Sequence, residues 1–261
     1  MKWQAVAVNT YREAIRDKIL YNLLIFALIL IGGSILLATL TLGEQSKIIM
    51  DFGLASINLF GILMAIFLGI GLVSKEIEKK TLYTVLSKPI GRTEFLLGKY
   101  AGLLLTLAIN TIIMGVGLYL ALMLNQSRWG LSIWDVEPRL VFAMGMIYLE
   151  LAILTAVALL FSTFTTTTLA AIFTLSIYVV GHISDDLMKM GEKMETPLTG
   201  LLLKGIYYAL PNLSNFDIKG QVAHKVTIAP SYFFYTTLYA LVYCTLLMRI
   251  ASFIFKRRDL R

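Results

Sequence analysis

The sequence contains few of the residues that form disulfides, metal centres and soluble catalytic sites. One cysteine, two histidines and five prolines occur among its 261 residues, and only 15% of the residues are charged. The single cysteine, Cys244, excludes a disulfide within the chain and a cysteine-rich metal site. His182 and His224 lie far apart in the sequence and lack a compact ligand spacing such as His-x-x-x-His, so we expect no metal site.

The sequence also lacks a nucleotide-binding loop. Gly91 is followed by Gly98 and Lys99, but a Walker A motif requires four residues between its glycines and a serine or threonine after the lysine. Here six residues intervene, and Tyr100 follows the lysine. We therefore expect this chain to bind neither ATP nor another cofactor.

Apolar residues, in contrast, are abundant. They make up 58% of the chain, and the mean hydropathy is +0.78, which is too high for one soluble core of this length. Lipid must cover the surplus. The net charge of +7 does not indicate nucleic-acid binding, because the basic residues cluster at the ends of apolar segments rather than in a stripe with interleaved aromatic residues.

Six apolar segments predict membrane-spanning helices. The predicted fold class is all-α: a polytopic membrane protein with six transmembrane helices in a single domain over residues 1–261. The spans are expected at about residues 19–42, 52–73, 95–124, 140–161, 169–183 and 231–255, with a short polar loop at 43–51. Gly61, Ala65 and Gly69 recur every four residues in the second span, a pattern that permits close helix packing, which we expect within the subunit rather than at a dimer seam.

Two further segments lie outside the predicted spans. Residues 1–18 place apolar residues at helical spacing with basic residues elsewhere, which predicts an N-terminal interfacial helix. Residues 184–230 are the longest stretch between spans and are predicted to form an outer-face helical insertion. With the N-terminus inside, fifteen of the 23 basic residues fall on the inner side. The positive-inside rule therefore predicts that both termini are cytoplasmic.

A charged run, SKEIEKKTLYTVLSKPIGRTEFLLGKY, separates the second and third spans between Ser74 and Tyr100. It resembles the cytoplasmic signature of ABC type-2 permeases, roughly E-x-E-x-G-T-L-x-x-L-L-S-x-P-I-x-R-x-E-F-L-L-G-K. The sequence departs from that signature at Lys80, where the family commonly has glycine. The resemblance is closest to the branch that includes the permeases serving nitrous oxide reductase maturation.

The resemblance implies a function as well as a fold. In that family the signature, here residues 74–94, forms a cytoplasmic coupling helix that docks into a separate ATPase, which binds ATP and Mg²⁺. The resemblance implies a non-catalytic permease subunit of an exporter in the cytoplasmic (inner) membrane of a bacterium or archaeon. The implied partners are two ATPase copies, a second permease copy in a homodimer, and an outer-face protein. The ATPase-docking residues carried over from the signature are Glu76, Glu78, Lys79, Thr81, Leu82, Leu86, Pro89 and Arg92.

Polar side chains inside the spans are the remaining candidates for function. Glu150 is the single acidic residue well inside a predicted span. Ionisable residues within membranes usually face the bundle interior or a translocation path, so Glu150, Asn58 and Asn110 are the candidate path residues. Two interpretations of Glu150 stay open: a role in the path or in proton linkage, and a protonated side chain in a structural hydrogen bond. We expect Asn58 and Asn110 to form hydrogen bonds between helices.

Two other function classes also stay open. A membrane anchor or scaffold for an ATPase and an outer-face maturation factor needs no translocation path. An intramembrane enzyme needs a nucleophile and a base at the same depth, and neither histidine is expected to lie deep enough to partner Ser34, Ser176 or Cys244. The sequence therefore predicts no catalytic residue, and it does not indicate the transported substrate.

Overall fold

The computed structural model describes residues 2–41, 44–78, 91–128, 139–193, 203–205, 207–224, 226 and 228–257. Within these ranges the regular elements are helices, as the sequence predicts. They are α1 (Lys2–Ile15), α2 (Lys18–Thr39), α3 (Gln45–Glu78), α4 (Arg92–Arg128), α5 (Arg139–Ser162), α6 (Thr167–His182), α7 (Ser184–Lys193), a 3₁₀ turn (Ser214–Phe216), α8 (Lys219–Ala223) and α9 (Pro230–Arg257).

Five of the described helices, α2, α3, α4, α5 and α9, are long and apolar enough to cross a membrane. A sixth span is obtained only if α6 and α7 are counted together, and these two helices meet at a bend of 59°. The prediction of an all-α multi-pass membrane protein is confirmed. The fifth predicted span, at 169–183, is the broken one.

The predicted loop at 43–51 is wrong, because α3 already begins at Gln45. Ile49 and Met50 are buried in the bundle, so their burial in a continuous helix stabilises this stretch more than a solvated loop would. The helices on either side of the charged run are also the longest described, with 34 residues in α3 and 37 in α4. At ~1.5 Å per residue both exceed a ~30 Å hydrocarbon core, so they project beyond it.

Small residues set the distance between α3 and α5. A Cβ atom built on Gly61 would lie 2.6 Å from Leu151 Cδ1, and one built on Gly69 would lie 3.1 Å from Ala158 Cβ, while Ala65 is 1% exposed. Both neighbouring side chains belong to α5. The prediction that the Gly61, Ala65 and Gly69 stripe packs within the subunit is therefore confirmed.

The described part of the segment between α7 and α9 is not a wholly external insertion. Tyr239 Oη accepts a hydrogen bond from the Asn212 amide at 2.9 Å, and Tyr243 Oη donates one to the Ala209 carbonyl at 3.1 Å. Tyr243 lies about 20 Å along α9 from its start at Pro230. This part of the chain therefore lies beside the first half of α9, and Leu213, Phe216, Ile218 and Val222 are buried in the bundle.

Candidate functional site

The charged run is described only at its two ends. Glu76 and Glu78 belong to the last turns of α3, and Arg92 is the first residue of α4. The other docking candidates, Lys79, Thr81, Leu82, Leu86 and Pro89, lie outside the described residues. The side-chain contacts at this site are therefore those on the α4 side of the run.

Arg92 contacts the end of α9. Its Nη1 donates hydrogen bonds to the carbonyl oxygens of Phe255 at 3.2 Å and Lys256 at 3.0 Å. The last carbonyls of a helix have no partner within the helix and carry a partial negative charge, so a guanidinium is a favourable cap. Phe95 and Phe255 stack nearby, with ring centroids 6.2 Å apart. The sequence predicted Arg92 as a docking residue, and this tie to α9 is an additional role.

The same stretch of α4 also holds α1. A Cβ atom on Gly98 would lie 2.7 Å from the Trp3 carbonyl oxygen, and one on Gly102 would lie 2.5 Å from the Ala7 carbonyl oxygen, so only glycine permits this approach. Between them, Lys99 Nζ lies 3.2 Å from Glu13 Oε2, and the Lys99 side chain is 1% exposed. We call α1, residues 92–102 of α4 and the last turn of α9 the signature end of the bundle.

An apolar cavity of about 870 Å³ opens between α4, α5 and α9. Leu104, Ala152, Leu241 and Met248 are among its lining residues, and Arg249 and Lys256 contribute positive charge. Tyr100 and Tyr148 also line it, and their hydroxyl groups donate to the carbonyls of Ala152 and Leu104. The sequence analysis missed this cavity, because its walls come from three helices far apart in the chain.

Glu150 lies in a buried polar cluster formed by three helices. Asn58 Nδ2 on α3 donates to Glu150 Oε2 on α5 at 3.2 Å, and His182 Nε2 at the end of α6 lies 3.6 Å from Glu150 Oε1. Glu150 is 0% and Asn58 2% exposed, whereas the His182 side chain is 21% exposed. The predicted interhelical hydrogen bond of Asn58 is confirmed. The described hydrogen bond of Asn110 runs from its Nδ2 to the Thr106 carbonyl within α4.

His182, which we did not expect to lie deep enough to partner Ser34, Ser176 or Cys244, contacts Glu150 within the bundle. The helix α6 has only 16 residues, or about 24 Å, and ends at His182 where the chain bends. Glu150 lies about 18 Å from the corresponding end of α5 at Ser162. The two side chains are therefore at similar depth. The short length of the fifth apolar segment was the sequence signal that could have placed His182 inside the bundle.

A polar turn lies near this cluster. Asp217 and Lys219 form an ion pair with 3.5 Å between Oδ1 and Nζ, and their charges act on both Glu150 and His182. Ile218 between them is buried. Over the described ranges, no three histidine, cysteine, aspartate or glutamate side chains come together as metal ligands would.

The comparisons with known proteins agree with the helical membrane architecture. A family model described as ABC-2 family transporter protein matches residues 4–260. The comparison with curated proteins gives no match. Proteins of the matching family are membrane components that are generally not catalytic themselves and that partner with an ABC ATPase. The chain therefore belongs to the ABC-2 family of transporter proteins and is a multi-pass permease component of an ATP-binding-cassette transporter.

Proposed function

We propose that this chain is the permease subunit of an exporter in the cytoplasmic membrane of a bacterium or archaeon, and that it works as a homodimer with two copies of a cytoplasmic ATPase. ATP and Mg²⁺ are bound by the ATPase. The charged run at 74–94, including Glu76, Glu78 and Arg92, is the docking segment in this proposal, and both termini face the cytoplasm. The basic residues near the signature end support this orientation.

The observation that carries the proposal is the double attachment at the start of α4. Arg92 binds the last carbonyls of α9, and the glycines at 98 and 102 seat α1 against the same helix. A displacement of the docking segment would therefore move α4, α9 and α1 together. The hydrogen bonds of Arg92 and the close glycine contacts hold these helices together at this end, so they would transmit such a shift as one unit.

The other side of the docking segment leads to the candidate path. The helix α3 ends at Glu78 and carries Asn58 about 30 Å away along the same helix. In the described conformation Asn58 and Glu150 are enclosed within one chain. Access to them requires α3 to move relative to α5, and a partner that pulls on the end of α3 would supply this movement. Glu150, Asn58 and Asn110 remain the proposed path residues.

The docking proposal is tested by reversing charge at Glu76 and Glu78. The double variant Glu76→Lys and Glu78→Lys should lose co-purification of the partner ABC ATPase and the stimulation of its ATP hydrolysis. The control is Glu44→Lys, which reverses an acidic residue next to the opposite end of α3. Unchanged co-purification and unchanged hydrolysis in the double variant would exclude docking at these residues.

Transport itself needs a separate readout. Vesicles that contain the permease and its ATPase, loaded with candidate lipids, saccharides, peptides or ions, should show ATP-dependent movement of one of them. A complex that hydrolyses ATP but moves none of these would favour the scaffold alternative over export.

A further inference from the structure

We propose that Glu150 and His182 share one exchangeable proton inside the membrane, and that its uptake and release accompany the ATP-driven cycle. The first part rests on the geometry of the cluster alone. The second part rests on the proposed function.

Three atoms of the cluster have no hydrogen-bond partner among the described residues. They are the buried atoms Asn58 Oδ1, Glu150 Oε1 and His182 Nε2. Leaving buried polar groups unpaired is unfavourable, so three such atoms at one place indicate that something else binds them. If the ring hydrogen of a neutral His182 is on Nδ1, all three atoms are acceptors, and the missing group is a cation or a hydrogen-bond donor.

The contact made by Nδ1 of His182 indicates which ring nitrogen carries the hydrogen. His182 Nδ1 lies 3.4 Å from the Tyr178 carbonyl oxygen, and a carbonyl oxygen can only accept, so we assign the ring hydrogen to Nδ1. His182 Nε2 then directs a lone pair toward Glu150 Oε1 at 3.6 Å. Two lone pairs at this distance repel each other unless a proton lies between them. The gap is too short for a water molecule or a metal ion on the line that joins the two atoms.

The backbone around the site also favours positive charge. His182 is the last residue of α6, where the chain breaks. A helix C-terminus carries about half a negative charge, and in transporters the ends of broken membrane helices coordinate Na⁺ or H⁺. A proton on the imidazole is therefore stabilised both by the carboxylate and by the end of α6.

The charged and titratable groups that face the pair are few among the described residues. On α6 the Tyr178 ring lies 4.6 Å from the His182 ring, and on α3 the neighbour is the neutral Asn58. At the start of α8, the ion pair of Asp217 and Lys219 acts on both Glu150 and His182.

The proton balance of the site is simple. The released state is a Glu150 carboxylate beside a neutral imidazole, and uptake of one proton gives a species in which Oε1 and Nε2 share it. On release the proton leaves through His182, the exposed member of the pair, to water. No oxidant, reductant or second substrate takes part.

The first test examines the site without the ATPase. Infrared difference spectra of the reconstituted chain, taken between about pH 5 and pH 8, cover the range in which an imidazole titrates. A carboxyl band that titrates in the wild type should be lost in Glu150→Gln and displaced along the pH axis in His182→Gln. His224→Gln, which changes the other histidine, should titrate as the wild type does. The same titration in the wild type and in His182→Gln would overturn the shared proton.

The second test examines linkage to the cycle. ATP hydrolysis by the vesicle-embedded complex should vary about threefold or more with pH in the wild type. The dependence of ATP hydrolysis on pH should be lost equally in Glu150→Gln, in His182→Gln and in the double variant, because the two residues act as one unit. Equal pH profiles in all variants, or a response to Na⁺ or Zn²⁺ instead of pH, would overturn the linkage.

Failure of this proposal is distinct from failure of the proposed function. If no ATPase binds the chain, the exporter proposal fails, but the infrared titration still decides whether the proton is shared. If Glu150→Gln does not fold, both tests use His182→Gln. We expect this variant to fold, because the His182 side chain is partly exposed and lies at a helix end. Size-exclusion profiles identify the variants that fold.

Discussion

Replacing Arg92 with alanine should release the end of α9 from the start of α4. The change removes hydrogen bonds of 3.2 and 3.0 Å to the Phe255 and Lys256 carbonyls. A hydrogen bond to a charged group contributes about 1.5–3 kcal/mol when it is protected, and solvent reduces this at an exposed site. Because one of the two bonds is exposed, we expect a total loss of interaction free energy of about 1–3 kcal/mol. This corresponds to a ~5–150-fold shift from the state in which α9 is attached to α4 toward the state in which it is released.

The single native cysteine provides the assay. Cys244 lies on α9, lines the cavity between α4, α5 and α9, and is 9% exposed. Its rate of modification by a thiol reagent should rise in Arg92→Ala in proportion to the released fraction, since opening at the end of α9 admits the reagent. Hydrolysis by the partner ATPase should also no longer be linked to transport.

A matched control separates the loss of the Arg92 hydrogen bonds to α9 from a general loss of positive charge. Arg12 is an exposed arginine on α1 at the same end of the bundle, and Arg12→Ala should leave the Cys244 rate and the coupling unchanged. Equal Cys244 rates in Arg92→Ala and Arg12→Ala would refute the idea that Arg92 fastens α9.

Two further predictions concern packing of the ends of the bundle. Gly98→Ala should loosen α1 and lower the free energy of unfolding by about 1–3 kcal/mol, because the new methyl group would meet the Trp3 carbonyl oxygen, a backbone atom. The control is Gly145→Ala, whose new methyl group would meet nothing within 4 Å. Equal thermal melting of the two variants would contradict the prediction. Asp185→Ala should make the segment beside α9 more sensitive to protease by removing an acceptor for two hydrogen bonds of 2.7 Å. Asp186→Ala, at a 75% exposed side chain, should not, and equal cleavage of the two variants would reject this role.

Five of the spans could be predicted from sequence, because the length of an apolar segment indicates whether it can cross a membrane. The charged run between α3 and α4 indicated the family that the comparison then matched over residues 4–260. The Gly61, Ala65 and Gly69 stripe was correctly assigned to packing within the subunit, since close approach of two helices needs only small residues at four-residue spacing. The interhelical role of Asn58 followed from the cost of an unpaired amide in an apolar setting.

The contact between Glu150 and His182 could not be derived in the same way. It depends on where α6 stops, and the bend at Ile183 is set by packing of distant residues, such as Leu213, whose amide donates to the Gly181 carbonyl at 2.9 Å. The tie of Arg92 to α9 likewise joins residues more than 160 positions apart. Local periodicity carries no information about such pairs, so only a docking role could be assigned to Arg92 from the sequence.

The mass of the complex is the most direct test of the central claim that this chain couples a separate ATPase to transport. The wild-type chain, purified with its partner ABC ATPase in the presence of a non-hydrolysable ATP analogue, should form one species with two permease and two ATPase copies. The Glu76→Lys and Glu78→Lys variant should form a permease pair alone. A wild-type chain that never binds an ATPase would contradict the account.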